Sequence, residues 1–215
     1  FSKVNVFSDL NNLNDISMDR AYATICGITE EEIDTCFKDS VEELARANGL
    51  TIEETRARLK ELYDGYHFTP TSAGIYNPFS VLCTFSKQEF NNYWFEMSTP
   101  TFLAEMLKNF KYRLPDLTKE QVTADVLNSI DSTSQNPVPI IYQSGYLTIT
   151  GYNERFKRYR LGFPNKEVEE GFLNFLLPSY APVEAKSEFD IMEFVNDVET
   201  GNPQQFMERL RTLFA

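Results

Sequence analysis

A mainly α-helical fold with a small β component follows from three features of the sequence. Two capping boxes, Thr29-Glu30-Glu31-Glu32 and Thr51-Ile52-Glu53-Glu54, each open a run of apolar residues at helical spacing. Beyond Pro137 the period changes, and Leu147 and Ile149 alternate with Tyr146, Thr148 and Thr150 as strand residues do. No internal repeat and no low-complexity linker interrupts the 215 residues, and at 42% hydrophobic the chain can bury a sizeable core.

The first residues alternate around Val4 and Val6, and Asp9-Leu10-Asn11-Asn12 follows as a polar turn, so a short strand running into a loop is expected. After Thr29, the residues Ile33, Phe37, Val41 and Leu44 recur as one helical run until Asn48-Gly49 stops it. The helix after Thr51 carries Leu59 and Leu62 on its apolar face and delivers the chain to Tyr63. Thr99 caps a helix with Pro100 at its first position and a stripe of Phe102, Leu103, Met106, Leu107 and Phe110. Thr118-Lys119-Glu120-Gln121 opens another helix.

Ile140 to Ser144 reads as a short helix ending at Gly145, followed by the strand of Leu147 and Ile149. A turn around Asn153-Glu154-Arg155 leads to a second strand from Phe156 to Leu161, which makes the pair a hairpin. Asn165 caps the next helix, with Glu167, Glu169 and Glu170 near its positive end and Val168, Phe172, Phe175 and Leu176 turned inward. Phe189, Met192, Val195 and Val198 mark a further helix, Gly201 breaks it, and Pro203 starts the last one with Phe206, Leu210 and Leu213. The order of helix, hairpin and helix resembles a winged helix.

Composition narrows the function. A net charge of −12 argues against a general binder of phosphate backbones, which needs a surplus of Lys and Arg. No apolar run approaches the ~18 residues that span a bilayer, and the opening residues lack the h-region of a signal peptide, so a cytoplasmic protein without membrane contact is expected. Cys26, Cys36 and Cys83 are odd in number and irregularly spaced, which fits a reducing compartment. With one histidine in the chain a zinc site is hard to assemble.

Tyr63-Asp64-Gly65-Tyr66-His67-Phe68 is followed by Ile75-Tyr76-Asn77-Pro78-Phe79-Ser80 and by Asn92-Tyr93-Trp94-Phe95. Together with Phe1-Ser2-Lys3-Val4, Phe7-Ser8-Asp9-Leu10-Asn11-Asn12-Leu13 and Tyr142-Gln143-Ser144-Gly145-Tyr146-Leu147, this ordered string resembles the AAA-ATPase-like family. Those are bacterial proteins in which a P-loop ATPase module precedes a PD-(D/E)XK nuclease-like domain. The resemblance runs from Phe1 to about Ala215 and is to the C-terminal part, since the chain contains no Gly-x-x-x-x-Gly-Lys-Ser/Thr. It implies a remnant of the ATPase sheet at 1–15, a helical lid-like region with the aromatic segment at 16–117, a winged-helix-like unit at 118–180 and a helical tail at 181–215. The implied partners are the ATPase core and the nuclease-like domain of the same protein. ATP and magnesium are implied for that parent protein, and no cofactor for this segment. Ser2 and Lys3 would lie near the terminal phosphate of a bound nucleotide, where Lys3 acts electrostatically.

The residues themselves name no catalytic group and no metal ligand. Glu184-Ala185-Lys186 matches half of a metal-dependent nuclease signature, but Pro178 and Pro182 do not build the strand that such a site needs. Asp64 and His67 are read as turn residues that bond local backbone, with Gly65 at a positive φ, in preference to a proton-transfer pair. Asp9, Asn11 and Asn12 are read as turn residues in preference to metal ligands. Phe79, Phe85, Phe90, Tyr93, Trp94 and Phe95 are read as core. Arg155, Lys157, Arg158 and Arg160 place four cations on the hairpin. They are read as a solvated face paired with local Glu, the alternative being a phosphate-tracking wing. The expected function is a non-catalytic part of an AAA-like ATPase that couples a nucleotide-binding core to a nuclease-like domain. The alternative is an ATP-independent protein or nucleic-acid interaction module.

Overall fold

The computed structural model describes residues 16–97, 107, 121–128, 136–180, 193, 196–197 and 200–213. The expected Val4/Val6 strand lies outside them, as do the helix after Thr99 apart from Leu107, and the Phe189 to Val198 stripe. The architecture is mainly α with a small antiparallel sheet, as the periodicities imply.

Both capping boxes form. In α1 (Glu30–Cys36) the Thr29 hydroxyl accepts from the Glu32 amide at 3.2 Å while the Glu32 carboxylate accepts from the Thr29 amide at 2.8 Å. Thr51 and Glu54 repeat the exchange at the start of α3 (Ile52–Tyr63). Thr51→Ala leaves an amide of the first turn without its acceptor, and urea denaturation is expected to show a loss of about 1 kcal/mol. An unchanged midpoint would mean that water replaces this cap without cost.

The run expected as one helix is two. Phe37 departs from helical geometry at φ −115° and ψ 14°, closing α1 and opening α2 (Lys38–Asn48). The ring of Phe37 stacks on Phe85 of α4 (Pro78–Lys87) with centroids 5.5 Å apart. That contact is made to a distant element, and the spacing of Ile33, Phe37, Val41 and Leu44 is the same with or without the break. Gly49 ends α2 at φ +65°, and the Leu50 amide reaches back to the Ala45 carbonyl. Ile33, Val41, Leu44, Leu59, Tyr63, Tyr76, Val81 and Phe85 form a first core among these helices.

A second core gathers Val122, Leu127, Val138, Ile141, Tyr146, Leu147, Ile149, Leu161, Val168, Phe172 and Leu176. It also takes Phe95 from α5 (Tyr93–Met97), and Leu107, which is helical and wholly buried. Its elements are β1 (Gln121–Val122), α6 (Ala124–Asn128), α7 (Val138–Gln143), β2 (Thr148–Asn153), β3 (Arg158–Gly162) and α8 (Lys166–Tyr180). The sheet order is β1-β3-β2, all antiparallel, with Tyr152 opposite Tyr159 and a register shift between Ile149 and Gly151.

Two expectations are corrected here. Gln121, expected to begin a helix, belongs with Val122 to a strand paired with Arg160 and Tyr159, and helix resumes at Ala124. Pairing with a hairpin edge some forty residues away decides this, and local propensity cannot see it. Phe156, expected as the first residue of the second strand, sits in the turn and is 60% exposed, because Lys157 takes a left-handed φ of +49° and β3 starts only at Arg158.

Residues from Leu177 onward form a separate compact unit. Within it Gly201 turns the chain at φ +66°, and α9 (Pro203–Leu213) follows. Arg209 pairs with Glu193 and with the buried Asp197, whose carboxylate accepts from its guanidinium at 2.7 Å. Among the described residues no helix is long and apolar enough to cross a membrane.

Candidate functional site: an uncharged aromatic cleft

The end of α3 sets the geometry of the site. The Asp64 amide closes the helix on the Lys60 carbonyl, and Gly65 then turns the chain at φ +109°. Tyr66 pairs with Ile75 in both directions, at 3.3 and 3.1 Å, and Tyr76 pairs with Ile28 at 2.8 and 3.2 Å. Between these bridges the loop is fastened internally. His67 donates from Nδ1 to the Ser72 carbonyl at 2.9 Å, since a carbonyl can only accept, and the Ser72 amide donates to the Thr69 hydroxyl at 3.1 Å. The loop is also fastened to the sheet, because Thr148 Oγ1 accepts from the His67 amide at 2.7 Å and donates to the His67 carbonyl at 3.0 Å. Asn77 caps α4 through its side chain, with Pro78 at the first helical position.

These turns bring four separated sequence motifs to one cleft of about 760 Å³. Tyr66, His67 and Phe68 line it from the first motif, Ile75 to Pro78 from the second, Trp94 from the third, and Tyr142 to Gly145 from the fourth. The Ile16–Cys26 stretch supplies a further wall. Among the described residues no Asp, Glu, Lys or Arg lines the cleft. Burial holds three of its phenols in the neutral form. Burial pushes Tyr142 up to about 12, and burial pushes the Tyr66 hydroxyl well above its ordinary value. Tyr76 is raised by burial and by Glu30, whose carboxylate accepts its hydroxyl at 2.7 Å. Burial pushes Glu30 up, yet its hydrogen bonds from Tyr76, Arg56 and Lys60 outweigh this and hold the carboxyl below its ordinary value.

Asp64 and His67 lie close together in the chain but face different neighbours. Among the described residues no hydrogen bond joins them. His67 bonds the Ser72 carbonyl, and Asp64 lies 3.9 Å from the Lys60 ammonium. Burial raises the Asp64 carboxyl above its ordinary value, against the pull of the Gly65 amide and Lys60. Phe85, Tyr93 and Phe95 are buried, and Phe90 and Trp94 are half-buried. Phe79 corrects the core expectation at 43% exposed, because α4 buries the face of Ser80, Val81, Thr84 and Phe85 and leaves Phe79 and Leu82 outside.

Glu167 was missed. It stands near the positive end of α8, as expected, but it is wholly buried. Its two oxygens accept from the Ser80 hydroxyl and from the Trp94 amide, both at 2.8 Å, tying α8 to α4 and α5. No local signal distinguishes it from the exposed Glu169 and Glu170 beside it.

Ser2, Lys3, Asp9, Asn11 and Asn12 lie outside the described residues, as do Glu184 and Lys186. Arg155, Lys157, Arg158 and Arg160 are all exposed on the hairpin, away from the residues that line the cleft. The expected pairing of this face with local Glu is corrected: among the described residues none of the four makes an ion pair, and Glu154 in the same turn pairs with none of them. No described group of His, Cys, Asp and Glu is placed to hold a metal ion.

No family model matches the chain, and no solved structure matches it. It is 40% identical over 185 residues to a protein of Azotobacter chroococcum mcd 1 described as an uncharacterised protein in the vnfD 5′ region. The alignment takes in 85% of this chain and 33% of that protein, so the chain spans about a third of the length of the curated relative it matches.

Proposed function

We propose that the chain is a non-catalytic C-terminal part of a bacterial, cytoplasmic AAA-like ATPase and couples a nucleotide-binding core to a nuclease-like domain. The observation that carries this reading is the convergence of four motifs, spread over residues 63–147, on one uncharged cleft. A nucleoside triphosphate is held by cations and by amides of a glycine-rich loop. Neither lines this cleft among its described residues, so its aromatic walls suit packing against another part of the protein. The relative, of which the chain spans about a third, has length for such further parts. The topology of short strand, two helices and hairpin, with sheet order β1-β3-β2, supports the winged-helix-like reading of the second core. In that parent protein ATP and magnesium would be held by the core, with Ser2 and Lys3 nearest the terminal phosphate.

Calorimetry of the 215-residue chain with ATP and magnesium is expected to show no binding heat and no turnover. Micromolar binding would overturn the assignment of nucleotide chemistry to another part of the protein. A second reading, an ATP-independent interaction module, is favoured by the four hairpin cations, which make no ion pair among the described residues. A full-length gene that keeps this region but lacks a phosphate-binding loop would decide for it.

A further inference from the structure

We propose that the β2–β3 hairpin is a binding site for single-stranded nucleic acid, with Arg155, Lys157, Arg158 and Arg160 on the sugar–phosphate backbone and Phe156 stacked on a base. The site is separate from the cleft and stands whichever reading of the whole protein holds.

The first argument is electrostatic. With 32 acidic and 20 basic residues, the protein has carboxylates to spare for its cations. Four described cations use them: Arg56 meets Glu30 and Asp34, Lys60 meets Glu30, Lys166 meets Glu61 and Glu170, and Arg209 meets Glu193 and Asp197. Arg20, Lys38, Arg46, Arg58, Lys87 and Arg211 also make no ion pair among the described residues, but they are scattered along the chain, whereas the hairpin gathers its unpaired cations in one place. Four exposed cations within six residues are left for an anion from outside, and repulsion by the remaining acidic surface confines a polyanion to this patch.

The second argument is geometric. Arg158 and Arg160 share one face of β3, about 6.8 Å apart from two strand rises. Arg158 is held in place by donating to the Gln121 carbonyl at 2.8 Å, which leaves the other donors of its guanidinium free. Arg160 lies flat over Gly151, where an added Cβ would come within 2.6 Å of its terminal nitrogen. Both guanidinium groups are therefore pre-positioned, which reduces the side-chain ordering lost when a phosphate binds.

The third argument selects the ligand. Phe156 stands 60% exposed at the tip, flanked by two cations, with the Arg155 guanidinium 5.3 Å from its ring centroid. An aromatic between cations is the combination by which single strands are held, by stacking on a base and by charge on the backbone. A duplex buries its base faces and offers such a ring nothing to stack on.

Fluorescence anisotropy of a labelled oligothymidylate and of a matching duplex, titrated with the chain at low and at physiological salt, tests this. The single strand is expected to bind at low salt, more tightly than the duplex, and to weaken as salt rises. Phe156→Ala should lower affinity about tenfold and Phe156→Trp should restore it, both with the salt slope unchanged. Reversing both arginines, Arg158→Glu with Arg160→Glu, should reduce the log–log salt slope by about 1.4. All three positions are exposed, so the melting temperatures should stay together. No binding at low salt, equal or tighter binding to the duplex, or a Phe156→Ala titration that overlays the unmodified protein would each overturn the proposal.

Discussion

Gly65→Ala is expected to destabilise the protein by about 4 kcal/mol, since a methyl group there meets a closer atom than at any other glycine of the chain. Two costs combine, each about 1–3 kcal/mol: a backbone angle that L residues avoid, and an overpacked contact. At φ +109° the residue lies outside even the left-handed region that Asn or Asp tolerates. A Cβ there would come 1.9 Å from the Pro164 carbonyl oxygen, a backbone atom that cannot rotate away. Pro164 immediately precedes the Asn165 cap of α8, and Gly65 immediately precedes the Tyr66–Ile75 bridge, so relief would separate α8 from the loop that lines the cleft. Gly49→Ala is the control. It carries φ +65° with no atom within 4 Å of the added methyl, and about 1 kcal/mol is expected. Urea midpoints for the two variants separate the angle from the contact, and equal losses would show that the Pro164 approach contributes nothing.

Glu167→Ala should cost about 3 kcal/mol, from hydrogen bonds to a buried charged group that are worth ~1.5–3 kcal/mol each, less the relief of no longer burying the carboxylate. The buried Ser80 hydroxyl and the half-buried Trp94 amide both lose an acceptor at 2.8 Å. Glu167→Gln keeps the shape and one carbonyl acceptor, so about half that loss is expected. The readout has a local component as well. Trp94 is the one tryptophan of the chain, lines the cleft and packs 5.1 Å from Tyr146, so loosening its backbone should shift its fluorescence to the red before global unfolding. Alanine and glutamine variants that unfold together with the unmodified protein, with unchanged emission, would remove Glu167 as the tie between α8 and the aromatic segment.

What could be read from the sequence was local. The capping boxes at Thr29 and Thr51, the Asn165 cap, the glycine stops at Gly49 and Gly145 and the positive φ of Gly65 each depend on neighbours within a few residues, and each is found where the spacing puts it. The inward faces of α3 and α8 were likewise legible, because Leu59, Val168, Phe172 and Leu176 repeat at the period of the helix itself. The motifs were legible as motifs, but their meeting in one cleft was not, since it depends on contacts between distant residues such as the Thr148 hydroxyl on His67 and the Trp94 ring against Tyr146.

By itself, then, the sequence determined the helical caps, the turns and the change from helical to strand period beyond Pro137, because these are settled by interactions between residues close along the chain. Tertiary structure alone decided the break at Phe37, the strand at Gln121, the exposure of Phe79 and Phe156 and the burial of Glu167. In each the deciding partner is distant or is the packing around the residue: Phe85 for the first, β3 for the second, the buried face of α4 for Phe79, and Ser80 with the Trp94 amide for Glu167. Phe156 follows the hairpin, whose left-handed Lys157 delays the strand and leaves the ring at the tip. A buried carboxylate and an exposed aromatic invert what their residue types prefer, and only the surrounding surfaces of a folded chain can impose that inversion.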